Sequence, residues 1–257
     1  MLIELPRRGR LILVTDLHGD IDLFKRIMEK SKLMMNLGMG NYFVCCGDFI
    51  HSYGKRDKSI ELVETMIHLK SRYPKNVFIL LGNHEWSHII KTPVFKGDRN
   101  LYREFLDLMG IKFEFKHEEK MKEYTRFFKS LPIAVKASNL FVSHAAPDKL
   151  IELSDFKNFT AEKVLTPRDK FYALLWARPS ELDYSDAKYS PYDEEDIEYF
   201  LEEMHTDISI VGHTPVLEPY RIGKQLIIHT ASKGHYLELD LSKRYTMEEL
   251  MNCVNIA

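Results

Sequence analysis

The chain has 257 residues, 45% of them hydrophobic, with 36 basic against 38 acidic side chains and a formal net charge of -2. That is enough apolar material for one substantial core, so a single domain over residues 1–257 is expected, and no global field draws the chain to nucleic acid or to an anionic membrane. No apolar run approaches the ~18 residues that span a bilayer and no signal-peptide layout opens the chain, which points to the cytoplasm; Cys45, Cys46 and Cys253 offer neither a disulfide framework nor a Cys-x-x-Cys metal spacing.

Leu11-Ile12-Leu13-Val14 is a continuous apolar run of the kind buried on both faces of a sheet, and it ends at Asp16-Leu17-His18-Gly19-Asp20. Asp20 then caps a helix whose apolar face is Ile21, Phe24, Ile27 and Met28, running to about Leu33, with a loop over residues 34–41. A second strand over residues 42–46 ends at Gly47-Asp48. A second helix carries Ile60, Val63, Met66 and Ile67 and is closed by Pro74, and a third strand over residues 77–81 runs into Gly82-Asn83-His84-Glu85. This β-α-β-α-β pattern implies parallel neighbours whose C-terminal ends share one edge, so Asp16, His18, Asp48 and Asn83 are expected to converge there.

Residues 98–131 read as an inserted helical cover, with helices stopping at Gly110 and before Pro132. Phe113, Phe115, Tyr124, Phe127 and Phe128 fall at helical spacing and are read as core, not as a base-stacking surface. Short strands over residues 133–135 and 140–142 lead to Ser143-His144. Residues 158–176 read as mainly helical, 179–192 as a long surface loop, 193–204 as an acidic helix and 208–211 as a strand entering Gly212-His213-Thr214-Pro215. Residues 225–241 should add strands that pair antiparallel. The expected fold class is an α/β sandwich of mixed sheets flanked by helices, with a dinuclear metal site at the strand ends.

Asp16, His18, Asp48, Asn83, His144 and His213 all stand where strands end. Mixed oxygen and imidazole donors suit manganese, iron or zinc better than calcium. A carboxylate bridging two ions ~3.5–4 Å apart lets the pair hold a hydroxide at neutral pH and clamp a phosphate for in-line attack, which is phosphoester hydrolysis. Neither a Gly-x-Ser-x-Gly nucleophile nor a phosphate-binding Gly-x-x-x-x-Gly-Lys loop offers another route.

Asp-x-His-Gly at 16–19, Gly-Asp at 47–48, Gly-Asn-His-Glu at 82–85, Ser-His-Ala-Ala at 143–146 in place of the usual His-Gly-Gly, and Gly-His-Thr at 212–214 occur in one order. Together they resemble the calcineurin-like metallophosphoesterases and, within them, the phosphoprotein phosphatases, which include bacterial members and the symmetric diadenosine tetraphosphate hydrolases. The resemblance implies Asp16 and His18 on a first metal, Asp48 bridging, and Asn83, His144 and His213 on a second. His84 would be the general acid, and Arg178, after Leu174-Leu175-Trp176-Ala177, would grip the phosphate. It implies two divalent transition-metal ions, manganese first with iron or zinc as alternatives. The substrate would be a phosphorylated protein or a small phosphoester or nucleotide.

Three departures qualify it. The family pattern Gly-Asp-x-x-Asp-Arg-Gly reads here Gly47-Asp48-Phe49-Ile50-His51-Ser52, so His51 and Ser52 stand in place of a carboxylate that orients the acid and an arginine that grips phosphate. Lys55 or Arg56 is the candidate to reach back in its stead. Pro215 stands where broader members carry the second histidine of Gly-His-x-His, which leans the resemblance toward the phosphoprotein phosphatase branch. His229 is open between facing the site and a plain loop position, while His51, His88, His117, His205 and His235 are expected in loops or at the surface and His68 in a helix. Three functions remain in view: a serine/threonine phosphoprotein phosphatase, a dinucleoside polyphosphate hydrolase, and a metal-keeping binding protein without turnover.

Overall fold

Leu11 and Leu13 belong to one apolar cluster and Ile12 and Val14 to another, and all four are fully buried. A strand buried on both faces needs a packed layer against each, and the period of two along it sorts its side chains between them. The computed structural model, which describes residues 1–54, 57–147, 150–182 and 191–257, shows both layers. In chain order the elements are β1 (Leu2–Glu4), β2 (Arg10–Val14), α1 (Ile21–Lys30), α2 (Leu33–Asn36), β3 (Asn41–Cys45), α3 (Ser59–Arg72), β4 (Val77–Ile79), α4 (Asn83–Ile90), the hairpin β5 (Phe95–Lys96) and β6 (Arg99–Asn100), α5 (Leu101–Phe113), α6 (His117–Lys129), β7 (Ala134–Ala137) and β8 (Leu140–Ser143). There follow α7 (Ala173–Trp176), β9 (Arg178–Pro179), β10 (Pro191–Tyr192), α8 (Glu194–Glu203), β11 (Ile208–Val211), β12 (Tyr220–Ile222), β13 (Gln225–Ile227), α9 (Thr230–Lys233), β14 (His235–Asp240), α10 (Met247–Met251) and β15 (Val254–Ile256).

One sheet has the order β15-β14-β2-β3-β4 and the other β1-β7-β8-β11-β13-β12. Leu11, Leu13, Val44 and Leu237 of the first share a cluster with Val135, Val142, Ile210 and Leu226 of the second. Each such side chain contributes roughly 1.5–3 kcal/mol on full burial. Helices cover the outer faces, α1 through Leu23, Phe24 and Ile27, with the Asp20 carboxylate accepting from the Leu23 amide at 2.8 Å as its cap.

Register decides where the loops emerge. Val14 pairs with Cys45 and Cys45 with Ile79 in the parallel β2, β3 and β4, so these strands end level. In the other sheet Val142 pairs with Ile210, and Val211 with Ile227, across parallel β8, β11 and β13. The residues after all six strands therefore issue along one rim. Among the described residues no helix is long and apolar enough to cross a membrane.

Several sequence expectations need correcting. Residues 158–176 are not mainly helical: the stretch holds a 3-10 turn at Ala161–Lys163 and the single turn of α7. The Asp169 carboxylate accepts from the amides of Leu165 and Thr166 at 2.8 and 2.6 Å, which competes with helical bonding, and Pro167 has no amide to give. Helix α5 continues through Gly110 to Phe113, and α2 occupies part of the expected loop. Within residues 225–241 the expected antiparallel pairing is met by β13 with β12 and by β14 with β2 and β15, but β13 also joins β11 in parallel. Tyr124 and Phe128 are core as expected, whereas Phe115 is 84% exposed. Of the long loop at 179–192, residues 183–190 lie outside the described set; β9 and β10 close its ends.

Close approach at the rim demands glycine. A Cβ on Gly82 would strike the amide and a carboxylate oxygen of Asp48 and the Glu85 carboxylate, and one on Gly212 would strike the Asp16 carboxylate. Gly110, inside α5, has open space around it. Gly82→Ala and Gly212→Ala are each expected to destabilise the protein by ~1–3 kcal/mol, and Gly110→Ala to stabilise it by up to ~1 kcal/mol. Denaturant midpoints of the three variants measure this, and equal midpoints for all would contradict the packing described.

Candidate metal centre

His18, Asp48 and His213 hold left-handed backbone with φ of 44°, 48° and 60°. Such conformations cost a non-glycine residue of order 1 kcal/mol or more and persist only where surrounding bonds dictate them. Here they do. The amides of Leu17 and His18 both donate to the Asp48 carbonyl at 2.9 Å, and that of Gly19 to the Phe49 carbonyl at 2.9 Å. The fully buried Glu85 carboxylate accepts from the amides of Asp48, Phe49, Ile50 and Gly82 at 2.9, 3.0, 3.3 and 3.1 Å. Asp16 accepts from the His213 amide at 3.0 and 3.1 Å, and Asp48 from the His84 amide at 3.0 Å.

These bonds bring all six expected ligand residues together, each buried. His144 Nε2 lies 3.4 Å from Asp48 Oδ2 and 2.9 Å from Asn83 Oδ1, and His213 Nδ1 lies 3.1 Å from the same Asn83 oxygen. That oxygen also sits 3.1 and 3.3 Å from the two carboxylate oxygens of Asp48, where turning the amide would place its NH2 group instead. With the oxygen in that place the two groups call for positive charge among them, whereas the turned amide donates its NH2 group to the Asp48 carboxylate and to both imidazole nitrogens. Without a metal ion that charge is a proton: burial alone would lower the pKa of His144, but Asp48 overrides it and pushes it up to about 9. A divalent cation fits the same place with four donors.

Beside it, Asp16, His18 and His229 form a second group with donor atoms within 4.8 Å of one another, and His18, Asp48 and His84 a third. His18 Nδ1 donates to the Ile50 carbonyl at 3.3 Å and His144 Nδ1 to the Cys46 carbonyl at 2.8 Å, which leaves each Nε2 facing the cluster. Burial, with His84 next in effect, holds His18 well below the usual imidazole range, and burial does the same to His213. Neutral imidazoles with directed lone pairs are what a metal ion requires.

The six expected ligand residues, from the end of β2 to the Gly-His-Thr loop, fall within residues 9–217, over which the sequence matches the calcineurin-like phosphoesterase family. The chain belongs to that family. Its relatives include a probable serine/threonine-protein phosphatase of Encephalitozoon cuniculi, 24% identical over 94% of this chain and 52% of that protein. Another is a serine/threonine-protein phosphatase of Caenorhabditis elegans, 23% identical over 90% and 48% respectively. The chain spans about half the length of these curated relatives. A solved protein serine/threonine phosphatase from Saccharomyces cerevisiae shares the fold with a TM-score of 0.73 at 21% identity, covering 100% of this chain and 82% of that one.

The structure departs from sequence expectation beneath His84. His51 lies in a loop but is only 1% exposed, His88 is 3% exposed and sits in α4, and His235 is buried too; His117 is half-buried and His205 exposed. His84 Nδ1 contacts His51 Nδ1 at 3.0 Å, and His51 Nε2 contacts His88 Nε2 at 2.8 Å, forming a chain of three imidazoles. His84 and His88 stand four residues apart on α4, which begins at Asn83 immediately after β4, and that spacing was the signal available in the sequence. His88 stacks on Tyr102 with ring centres 4.5 Å apart. His84 Nε2 points to the cluster, 3.6 Å from Asp48 Oδ2.

Among the described residues, Arg178 and Lys96 stand near this centre. Arg178 Nε donates to His213 Nε2 at 3.3 Å, which places the expected guanidinium beside the ligands. Lys55 and Arg56 lie outside the described residues. A cation the sequence did not single out, Lys96 on the β5–β6 hairpin, sits 2.9 Å from the ring centre of Tyr53, whose ring lies 3.9 Å from that of His18. Arg99 fastens the hairpin by donating to the carbonyls of Ser52 and Tyr53 at 3.3 and 3.5 Å.

Burial, with the charge of His84 adding to it, lowers His88 to about 3. Between that value and the unfolded value of about 6.5 the unfolded chain takes up a proton that folded His88 refuses. The stability is thus fully present above pH 6.5 and lost as pH falls, by up to about 1.4 kcal/mol per pH unit from this group. In metal-free protein, His88→Gln should flatten the dependence of unfolding free energy on pH between 4 and 6.5 by about one proton. Slopes that superimpose would show that His88 is not the buried neutral group described.

Proposed function

We propose that this phosphoesterase removes phosphoryl groups from phosphoserine and phosphothreonine in proteins, acting through two divalent transition-metal ions, manganese first, within a single domain over residues 1–257. Asp16, His18 and Asp48 would hold one ion and Asp48, Asn83, His144 and His213 the other. The observation that carries this is three adjoining buried groups of metal-capable side chains, Asp16 with His18 and His229, His18 with Asp48 and His84, and Asp48 with His144 and His213, each with its donor atoms within 4.8 Å of one another and Asn83 set against the last. The ions would supply an activated water as nucleophile and neutralise charge building on the phosphoryl oxygens.

The remaining steps belong to the chain. His84 presents Nε2 to the cluster while Nδ1 is engaged by His51, so the proton for the leaving serine or threonine oxygen is held at Nε2. Arg178 orients the phosphate by a planar pair of donors, and Lys96 takes the part of the arginine that Ser52 replaces. The hairpin tie through Arg99 supports that reading, because it fastens the hairpin that carries Lys96 to the backbone of Ser52 and Tyr53. The direction toward a protein substrate rests on the relatives named as serine/threonine phosphatases.

The test is metal-reconstituted protein assayed on phosphoserine and phosphothreonine peptides, nucleotides and diadenosine tetraphosphate. Peptide turnover is expected to exceed the others; preference for diadenosine tetraphosphate would move the function to a phosphoanhydride hydrolase, and no turnover at full metal occupancy to a binding protein. Asp48→Asn should weaken both ions and lower turnover by orders of magnitude. Arg178→Ala should lower kcat roughly 10²–10³-fold, and Lys96→Met should lower kcat/KM on the order of 10-fold. Equal inhibition of wild type and either variant by inorganic phosphate would remove that residue from the grip.

A further inference from the structure

His229 follows β13 and caps α9, on a segment bolted to the end of β2. Thr15 Oγ1 donates to the Ile228 carbonyl at 2.8 Å, the Thr15 amide to Thr230 Oγ1 at 2.9 Å, the Thr230 amide to Thr15 Oγ1 at 3.0 Å, and the Ala231 amide to the Asp16 carbonyl at 2.9 Å. The backbone on both sides of His229 is thereby registered against Thr15 and Asp16, which leaves its side chain little freedom. His229 is 4% exposed. Its Nε2 is buried, has no hydrogen-bond partner among the described residues, and lies 4.0 Å from Asp16 Oδ1.

A buried imidazole nitrogen without a partner is costly unless something fills the place it faces. The other ring nitrogen faces a hydroxyl, which can accept from it or donate to it. His229 Nδ1 lies 2.8 Å from Ser232 Oγ, and an Nδ1–H donating to that hydroxyl leaves the lone pair on Nε2, directed at Asp16 and His18. In that tautomer a carboxylate oxygen and two imidazole lone pairs converge at separations within 4.8 Å, with His229 Nε2 4.0 Å from Asp16 Oδ1 and too far for a hydrogen bond, which is the arrangement of a cation site.

We propose that His229 Nε2 is a protein ligand of the first metal ion, completing Asp16, His18 and Asp48, with Ser232 as the residue that orients it. This rests on the two-ion reading above. It gives each ion two imidazoles, the first with two carboxylates and the second with the bridging carboxylate and the Asn83 amide oxygen. An added nitrogen donor at the first ion raises its affinity and shifts its preference toward zinc or iron and away from manganese. It also occupies a position that would otherwise be open to water or substrate.

The experiment is titration of metal-free wild type, His229→Gln, His229→Ala and Ser232→Ala with cobalt(II), followed by visible absorption and by hyperfine-shifted imidazole N–H resonances, with zinc affinity from chelator competition. Circular dichroism of each metal-free variant controls for folding. Wild type should bind two ions. Both His229 variants should keep one ion at wild-type affinity, lose at least 100-fold for the other and lose one shifted N–H signal, while Ser232→Ala loses roughly 10-fold. Folded variants that bind both ions with wild-type constants and an unchanged set of shifted signals would overturn the assignment. A wild-type isotherm showing fewer than two ions would remove the two-ion reading itself and the His229 assignment with it, a failure visible before any variant is compared.

Discussion

A single carboxylate, that of Glu85, collects backbone amides from the loops after β3 and β4, and the geometry of the centre depends on it. Four amides turned inward leave the two loops no freedom to separate, and they hold Asp48 in its left-handed conformation with its carboxylate aimed away from Glu85 and into the cluster. Asp16 does the equivalent service for the loop after β11 by accepting from the His213 amide. Two buried acids thus do structural work with backbone amides while the recognised partners of the acids inside the cluster are histidines. Negative charge is concentrated there, and this sets the pKa of His144 and the demand for cations alike.

Much of this was legible in the sequence for one physical reason. Strands buried on both faces read as unbroken apolar runs, so the residue at which each run stops marks the rim of the sheet, and parallel crossovers place those stops at one edge. Asp16, His18, Asp48, Asn83, His144 and His213 were all found that way, and level registers such as Val14 with Cys45 and Ile79 turned sequence positions into neighbours. What could not be read depended on tertiary supply. Lys96 arrives on a hairpin with two residues in each strand, too short to leave a pattern, and is held by Arg99 reaching a loop 46 or 47 residues away. The burial of His51 and His88 is invisible to a reading of both as loop or surface positions, because a lone histidine carries no periodic signal and because α4 begins inside the motif at Asn83.

Residues 158–176 failed for a different reason. Their composition suits a helix, but Asp169 offers the amides of Leu165 and Thr166 a nearer acceptor, and such local competition is invisible to periodicity. The outcome matters for the centre. A turn-rich segment delivers α7 so that the Leu174 carbonyl accepts from the Ala145 amide at 2.9 Å, which holds Arg178 and the Ser143-His144 loop in a fixed relation that a longer helix would not permit.

The chain of imidazoles beneath the cluster bears on how a histidine can serve as an acid without a carboxylate behind it. Three neutral rings carry three N–H protons, and each of the two contacts, His84 with His51 and His51 with His88, uses one. The third proton then lies at one end of the chain, on His88 Nδ1 or on His84 Nε2. The first position is buried without a partner among the described residues, and an unmatched buried donor costs about 1–3 kcal/mol. The second faces Asp48 Oδ2 at 3.6 Å, where negative charge favours it. A carboxylate at position 51 would accept from His84 Nδ1 and stabilise an imidazolium; His51 backed by His88 instead donates to that atom and directs the proton of a neutral ring to Nε2. The substitution exchanges charge stabilisation for tautomer selection, and on the proposed mechanism it delivers the same atom, protonated, to the leaving oxygen.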